Sequence, residues 1–204
     1  MVHHGVVGII DYGAGNLGSV KRALDYLGIE NRIVAESKDF FGIEKIIFPG
    51  VGALGASIEK LKKGGLYQAL KEWVADDKPF LGICLGMQLL FEESEESPKV
   101  KGMGIFNGKV IRFRHMKNPQ IGWNQIIIRR KDILLDGVRD GSFFYFLHGY
   151  FVSPKDDSLI IATTGYGISY ASIIQKGNIR AVQFHPEKSG EVGLKVIKNW
   201  GLKC

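Results

Sequence analysis

Short apolar runs alternate with amphipathic stretches through the first half of the chain, the pattern of strands and helices laid down in turn. Val6–Asp11 is an apolar run ending in an acidic residue and a Gly-rich turn, and it predicts a buried strand. A helix follows from about Leu17 to Leu27, with Val20, Leu24 and Leu27 on one face and Gly28 placed to end it. Arg32–Ala35 and Lys45–Phe48 read as two more strands, and Ile58–Lys63 and Leu66–Val74 as helices broken by Gly64-Gly65. The stretch 79–91 reads as strand, sharp turn, helix, and the acidic segment Glu92–Lys101, with Pro98, as a surface loop. After about residue 103 the character changes. Lys109–Phe113, Trp123–Arg130, Ser142–Val152, Leu159–Thr163, Ser172–Gln175 and Ile179–Phe184 are strand-like, and Ser189 is placed to cap a last helix through about Trp200, with Glu191 in its first turn. The expected fold is α/β, an open, mostly parallel but mixed central sheet flanked by helices, with a β-rich C-terminal half.

Composition narrows the picture. At 204 residues and 45% hydrophobic, the chain has material for one substantial core, so a single domain over residues 1–204 is expected. No apolar run approaches the roughly 20 residues of a membrane span, and a strand-like N-terminal region in place of a signal-peptide pattern points to the cytoplasm. The net charge of +6 raises the question of nucleic acid. Its cations come in short groups (Lys60/Lys62/Lys63, Arg112/Arg114/Lys117, Arg129/Arg130/Lys131) without interleaved stacking aromatics, so solvated faces and an acidic protein partner explain it better. Of the two cysteines, Cys204 occupies a terminus expected to fray, and neither a disulfide nor a zinc site is expected. His3 and His4 read as a chance pair.

Candidate chemistry begins at Cys84, flanked two positions away on each side by Gly82 and Gly86. Glycines so placed permit a strained turn and close helix–strand packing, as in the serine form of the nucleophile elbow, and the free N–H groups of the next helical turn favour a thiolate. Alone, a cysteine in an apolar run is more often a small buried hydrophobe. A second feature shifts the balance: Ala181–Phe184 is an apolar strand ending in His185-Pro186-Glu187. A thiol nucleophile needs a base, and the base needs an acceptor that fixes its tautomer. Cys84, His185 and Glu187 can fill these roles.

Gly-Ile-Cys-Leu-Gly-Met-Gln followed by Gln-Phe-His-Pro-Glu resembles the class I glutamine amidotransferases along nearly the whole chain. Asp11-Tyr12-Gly13-Ala14-Gly15-Asn16, Pro49-Gly50-Val51-Gly52, Gly122-Trp123-Asn124 and His185-Pro186-Glu187-Lys188-Ser189 are most similar to the glutaminase subunits of imidazole glycerol phosphate synthase. The Gly-Gly-Glu-Ser and Cys-Ala-Gly of vitamin B6 glutaminases are absent, as is the Pro-Gly-Pro-Gly of anthranilate-type subunits. The resemblance implies an oxyanion hole from the N–H groups of Leu85 and of Val51 or Gly52. Taken alone, Pro49-Gly50 is equally a simple turn. It implies a glutamine pocket at Gln88 and His148-Gly149-Tyr150, and a partner face at Asn16, Trp123, Asn124, Tyr145 and Lys188. Two departures stand out. Many relatives have His-Ser-Tyr at His148-Gly149-Tyr150, which removes a hydroxyl here, and many have His near Gln120, expected to be an interface contact.

The same resemblance implies that the protein hydrolyses glutamine without metal or cofactor and passes ammonia to a (βα)8-barrel cyclase in a heterodimer. The cyclase would make imidazole glycerol phosphate and an aminoimidazole carboxamide ribotide in histidine biosynthesis. Two alternatives stay open: a paralogue feeding ammonia to another synthase, such as one modifying a surface sugar, and a non-catalytic regulatory protein of the same fold.

Overall fold

The structure, a computed structural model, describes residues 5–114 and 116–204, so His3 and His4 lie outside it. Strands β1 (Val7–Ile10), β2 (Asn31–Val34), β3 (Lys45–Gly50) and β4 (Phe80–Cys84) are linked through helices α1 (Leu17–Tyr26), α2 (Leu54–Lys63) and α3 (Leu66–Ala75). A one-turn helix α4 (Leu85–Gln88) follows β4 directly. The chain continues through β5 (Phe91–Ser94), β6 (Phe106–Arg112), β7 (Gln120–Gln125), β8 (Ile127–Ile128), β9 (Phe143–His148), β10 (Tyr150–Pro154), β11 (Ile160–Tyr166), β12 (Ile168–Lys176) and β13 (Ile179–Val182) to a last helix α5 (Gly190–Lys203). Among the described residues no helix is long and apolar enough to cross a membrane.

The main sheet has the order β2-β1-β3-β4-β13-β12-β11-β8, with β2 through β13 parallel to their neighbours and the last three strands antiparallel. The expected mixed sheet is therefore present. β1, β3 and β4 are buried along their whole length because helices cover both faces, which is why they read as unbroken apolar runs. Successive residues serve opposite layers. Ile46, Phe48 and Phe80 pack with α2 and α3 side chains such as Leu61, Leu70 and Trp73, whereas Ile47, Leu81 and Ile83 pack with α1 and α5 through Leu24, Ile197 and Trp200.

Several expectations change. The segment Glu92–Lys101 is not all loop: Phe91–Ser94 is a strand paired in parallel with β6. The run Ser142–Val152 is two strands in different sheets, β9 against β7 and β10 against β6, divided at Gly149. Ser189 does not cap α5 with its side chain, since its hydroxyl donates to His185 O (2.6 Å) and accepts from Tyr145 N (3.0 Å). The helix also runs past Trp200 to Lys203, and Cys204 N–H still bonds Trp200 O, so the expected fraying is not seen.

The architecture gathers the ends of β3, β4 and β13 at one edge. β4 lies between the other two, in register Gly50↔Cys84 and Val182↔Ile83. The α4 turn folds back onto these strands so closely that glycine is required. A Cβ at Gly82 would stand 2.6 Å from Gly86 O, one at Gly50 2.6 Å from Leu85 Cβ, and one at Gly86 would collide with the Phe48 carbonyl. Gly86→Ala is therefore expected to destabilise the fold by about 1–3 kcal/mol through overpacking against rigid backbone. Urea unfolding checks this, and an unchanged midpoint would show that α4 can lift away from β3 freely.

Candidate active site

Cys84 stands at the junction of β4 and α4 with φ 55° and ψ −103°, one of two non-glycine residues with positive φ among those described. That strained backbone places the side chain at the strand end, as the paired glycines predict. The helix after it is only one turn, shorter than the sequence suggests, so the electrostatic contribution is that of a few peptide N–H groups, not of a long helix dipole. Cys84 is a free thiol, 6% exposed, on the wall of a cavity of about 450 Å³.

His185 follows β13 and is almost wholly covered. Its Nδ1 lies 2.9 Å from Glu187 Oε1, so the carboxylate fixes the tautomer from two residues away, with Pro186 restricting the turn between them. Nε2 is buried without a hydrogen bond, and Cys84 is the ionisable side chain that interacts with the ring from its other side. The thiol–imidazole contact is thus looser than a closed hydrogen bond, as is common before substrate binds. Burial disfavours the charged ring, but the interactions with Cys84 and with Glu187 outweigh it, and the pKa of His185 is pushed up to about 10. The imidazolium is therefore the resting form at neutral pH.

Asn16, expected at the partner face, donates its amide to the same Glu187 Oε1 (3.3 Å), so the β1–α1 loop touches the carboxylate directly. From that loop Tyr12 also stacks on Phe48 and reaches Val51, whose N–H donates to the Tyr12 hydroxyl (3.2 Å). This qualifies the expected oxyanion hole. Val51 N–H is already engaged, whereas Gly52 N–H has no partner among the described residues and Leu85 N–H opens the α4 turn, where no intrahelical acceptor exists. Val51, Gly52 and Leu85 all line the cavity with Cys84.

The remaining cavity wall holds Gln88, His148, Gly149 and Tyr150, as expected, and adds Glu96, Pro119 and Leu147. Gln88 has both amide hydrogens committed, to Tyr150 O (2.9 Å) and Gln183 Oε1 (3.3 Å), so it offers only its carbonyl oxygen to a ligand. His148 Nδ1 bonds Tyr150 O (2.8 Å), and burial, assisted by the nearby His185, lowers its pKa to about 4. It is a neutral wall residue. Tyr170 OH lies 3.2 Å from His148 Nε2 and donates to Gln120 Oε1 at 2.9 Å. Gln120 is buried, so the expected interface contact at this position is replaced by an internal hydrogen bond. Gly149 also has a local reason. An added Cβ would stand 2.6 Å from Asn118 Oδ1, and the Asn118 amide donates to Gly149 O (3.1 Å).

Sequence reasoning does not find Glu96, because nothing in an acidic loop distinguishes one carboxylate from the next. It accepts from Leu54 N–H (2.8 Å), and burial raises its pKa against that bond. Gln183 and Tyr12 lie inside motifs the sequence does single out, but their side-chain directions are not readable there.

On the outer side, β7 and β9 form a ribbon in register Trp123↔Tyr145, with ring centroids 6.2 Å apart. Lys188 Nζ lies over the Tyr145 ring at 5.9 Å, and Asn124 donates to Gly165 O at 2.9 Å. Tyr145 O accepts from His185 N–H (2.9 Å), which ties this ribbon to the His185–Glu187 pair. No group of three or more His, Cys, Asp or Glu arranged to hold a metal ion occurs among the described residues.

The model of the class-I glutamine amidotransferase family matches residues 8–204. Imidazole glycerol phosphate synthase subunit HisH of Caldanaerobacter subterraneus subsp. tengcongensis is 45% identical over 202 residues, covering 98% of this chain and all of that one. The protein of the same name from Methanocaldococcus jannaschii is 46% identical over 196 residues, covering 96% and 98%. A chloroplastic imidazole glycerol phosphate synthase hisHF of Arabidopsis thaliana is 44% identical over 200 residues, which span 96% of this chain and 34% of that longer protein. Among solved structures, PurLQS from Thermotoga maritima superimposes with a TM-score of 0.76 at 19% identity over 96% of each chain. A glutamine amidotransferase from the same organism gives 0.69 at 18% identity over 98% of this chain and 81% of that one. At such identity these two show the shared fold alone. The chain belongs to the class-I glutamine amidotransferases, within the family of imidazole glycerol phosphate synthase subunit HisH.

Proposed function

We infer that Cys84, His185 and Glu187 are the residues by which this member of the HisH family, a glutaminase of histidine biosynthesis, converts glutamine and water to glutamate and ammonia. The observation that carries the assignment is His185 held by Glu187 at 2.9 Å on one nitrogen, with the other nitrogen buried and unpartnered on the side of Cys84. Cys84 sulfur attacks the side-chain carbonyl carbon, and the oxyanion is received by the N–H groups of Leu85 and Gly52, joined by Val51 once Tyr12 releases it. The His185 imidazolium gives its proton to the departing nitrogen, and ammonia leaves a thioester. Acylation removes the negative charge from sulfur, and with it two of the interactions that raise the proton affinity of His185. The ring is then a better base for the water that completes hydrolysis.

For the amino-acid end of glutamine, the cavity supplies the Glu96 carboxylate and the Gln88 carbonyl oxygen, both acceptors and both suited to an α-ammonium. Ammonia released into water at neutral pH becomes ammonium and is lost as a nucleophile, so the product needs a sealed route to an acceptor site. The partner proposed is a (βα)8-barrel cyclase in a heterodimer, consistent with a relative named hisHF that is about three times as long. Its docking face is proposed at the β7–β9 ribbon. There Ile121, Trp123 and Phe143 are 52–60% exposed beside Tyr145 and Lys188, and the backbone leads straight to His185. A cytoplasmic location suits a nucleophile that must remain a free thiol.

Mixed with a barrel cyclase and its nucleotide substrate, the wild type is expected to release glutamate from glutamine. Cys84→Ala should lose about 10³-fold or more of that rate, and a silent wild-type mixture would count against the function as stated. Glu96→Gln should raise KM for glutamine by about tenfold to a hundredfold, with a smaller change in kcat, because it removes a charge-assisted contact to the substrate.

Proton linkage supplies another test. His185 keeps its proton to about pH 10 in the folded chain but only to about 6.5 when unfolded. Its contribution to stability is complete below pH 6.5 and is lost as pH rises through 10. Glu187→Gln removes one cause of that shift, so its stability should fall less than that of the wild type between pH 6.5 and 9.5 in urea unfolding. Parallel losses would mean that Glu187 does not hold the proton on His185.

A further inference from the structure

Cys84 Sγ has two polar neighbours that this chemistry does not use. Leu147 O lies 3.7 Å away and Gln183 Nε2 lies 3.5 Å away. Gln183 is wholly buried two residues before His185, just past the end of β13. Its Oε1 accepts from Gln88 Nε2, which also donates to Tyr150 O.

The orientation of both amides follows from one backbone carbonyl. Tyr150 O can only accept, so Gln88 must turn its NH₂ group toward it. The second hydrogen of that group points at Gln183, which must answer with its oxygen. The NH₂ of Gln183 then faces the sulfur. Reversing either amide would set two acceptors or two donors against each other.

We propose that Gln183 is a positioning residue for the nucleophile, donating an Nε2–H hydrogen bond that holds the Cys84 sulfur in place and favours its thiolate. A thiol in this position sends its own hydrogen to Leu147 O. After that proton leaves, the carbonyl faces a negative sulfur with no hydrogen between them, and the Gln183 N–H is the neutral donor that offsets the repulsion. The bond strengthens as its acceptor becomes charged. Gln88 lines the cavity with both amide hydrogens committed, so a substrate hydrogen donated to its oxygen polarises the same chain toward the sulfur. The inference rests on Cys84 being the nucleophile.

Other titratable groups act on Cys84 as well. His185, with Glu187 behind it, carries the positive charge; Tyr12 from the β1–α1 loop and Tyr170 from β12 are kept neutral by burial, as is His148, and Glu96 stands in the cavity wall.

The test measures alkylation of Cys84 by iodoacetamide against pH in the full chain, followed by peptide mass mapping so that Cys204 is counted separately. Gln183→Met keeps the length without the donor, and Gln183→Glu keeps the acceptor for Gln88 but sets oxygen against sulfur. Both profiles should move to higher pH, the Glu variant further, and kcat of the complex should fall about tenfold or more, exceeding any rise in KM. Profiles superimposed on that of the wild type, even with a lower kcat, would overturn the proposal and leave Gln183 a packing residue. Glutaminase activity surviving in Cys84→Ala would overturn the nucleophile assignment itself. Should neither variant fold, the side-chain amide resonance of Gln183 in the wild type must titrate with Cys84 reactivity and lose that titration in Cys84→Ala, and a resonance indifferent to both would sink the idea.

Discussion

The close approach of the α4 turn to β3 and β4 is the constraint on which the rest of the site depends. Cys84 occupies a backbone conformation that L-residues avoid, at a cost of the order of 1–3 kcal/mol. It is held there because Gly50, Gly82 and Gly86 let three backbones meet where any Cβ would collide. Parallel pairing then does the remaining work. With β4 between β3 and β13, the Val51-Gly52 turn after β3, the sulfur and the imidazole arrive at one sheet edge without any long connection having to be ordered.

Around that edge, charge is concentrated in one buried pair and its neutral surroundings. His185 and Glu187 are both covered, and the ring retains its proton because the interactions with carboxylate and sulfur exceed the loss of hydration. His148, equally buried but without a carboxylate, goes the other way and is neutral. Two neighbouring histidines thus have opposite protonation states, and the difference traces to Cys84 and Glu187, both of which act on His185. The arrangement suits the proposed amide hydrolysis, in which the imidazolium acts as acid toward the leaving nitrogen and as base after the sulfur is acylated.

The site is also in mechanical contact with the outer surface. Tyr145 receives the His185 N–H and donates its own N–H to Ser189, while its ring meets Trp123 and Lys188 on the outside. The β1–α1 loop makes a second connection through Tyr12 on Val51 and Asn16 on Glu187. Both connections are short and made of backbone or of buried and half-buried polar groups. A partner seated on the proposed ribbon face would press on the strand that holds His185.

Much of this was legible in the chain. The unbroken apolar runs of β1, β3 and β4 announce strands buried on both faces, and the glycines around Cys84 announce a strained turn, because both are local consequences of sterics and burial. The candidates Cys84, His185 and Glu187 could be picked out from two motifs, and the structure brings them together. What could not be read was everything set by side-chain direction across long sequence separations. Glu96 looks like any residue of an acidic loop until β5 carries it to the cavity. Gln120 looks like a surface contact until Tyr170, fifty residues on, bonds it inside. The aromatic run around Tyr145 looks like one strand until Gly149 divides it between two sheets. Periodicity and turn chemistry act over a few residues and so are written in the sequence itself. Which amide meets which carbonyl is decided by distances that exist only after the sheets have packed, and the tertiary structure alone settles it.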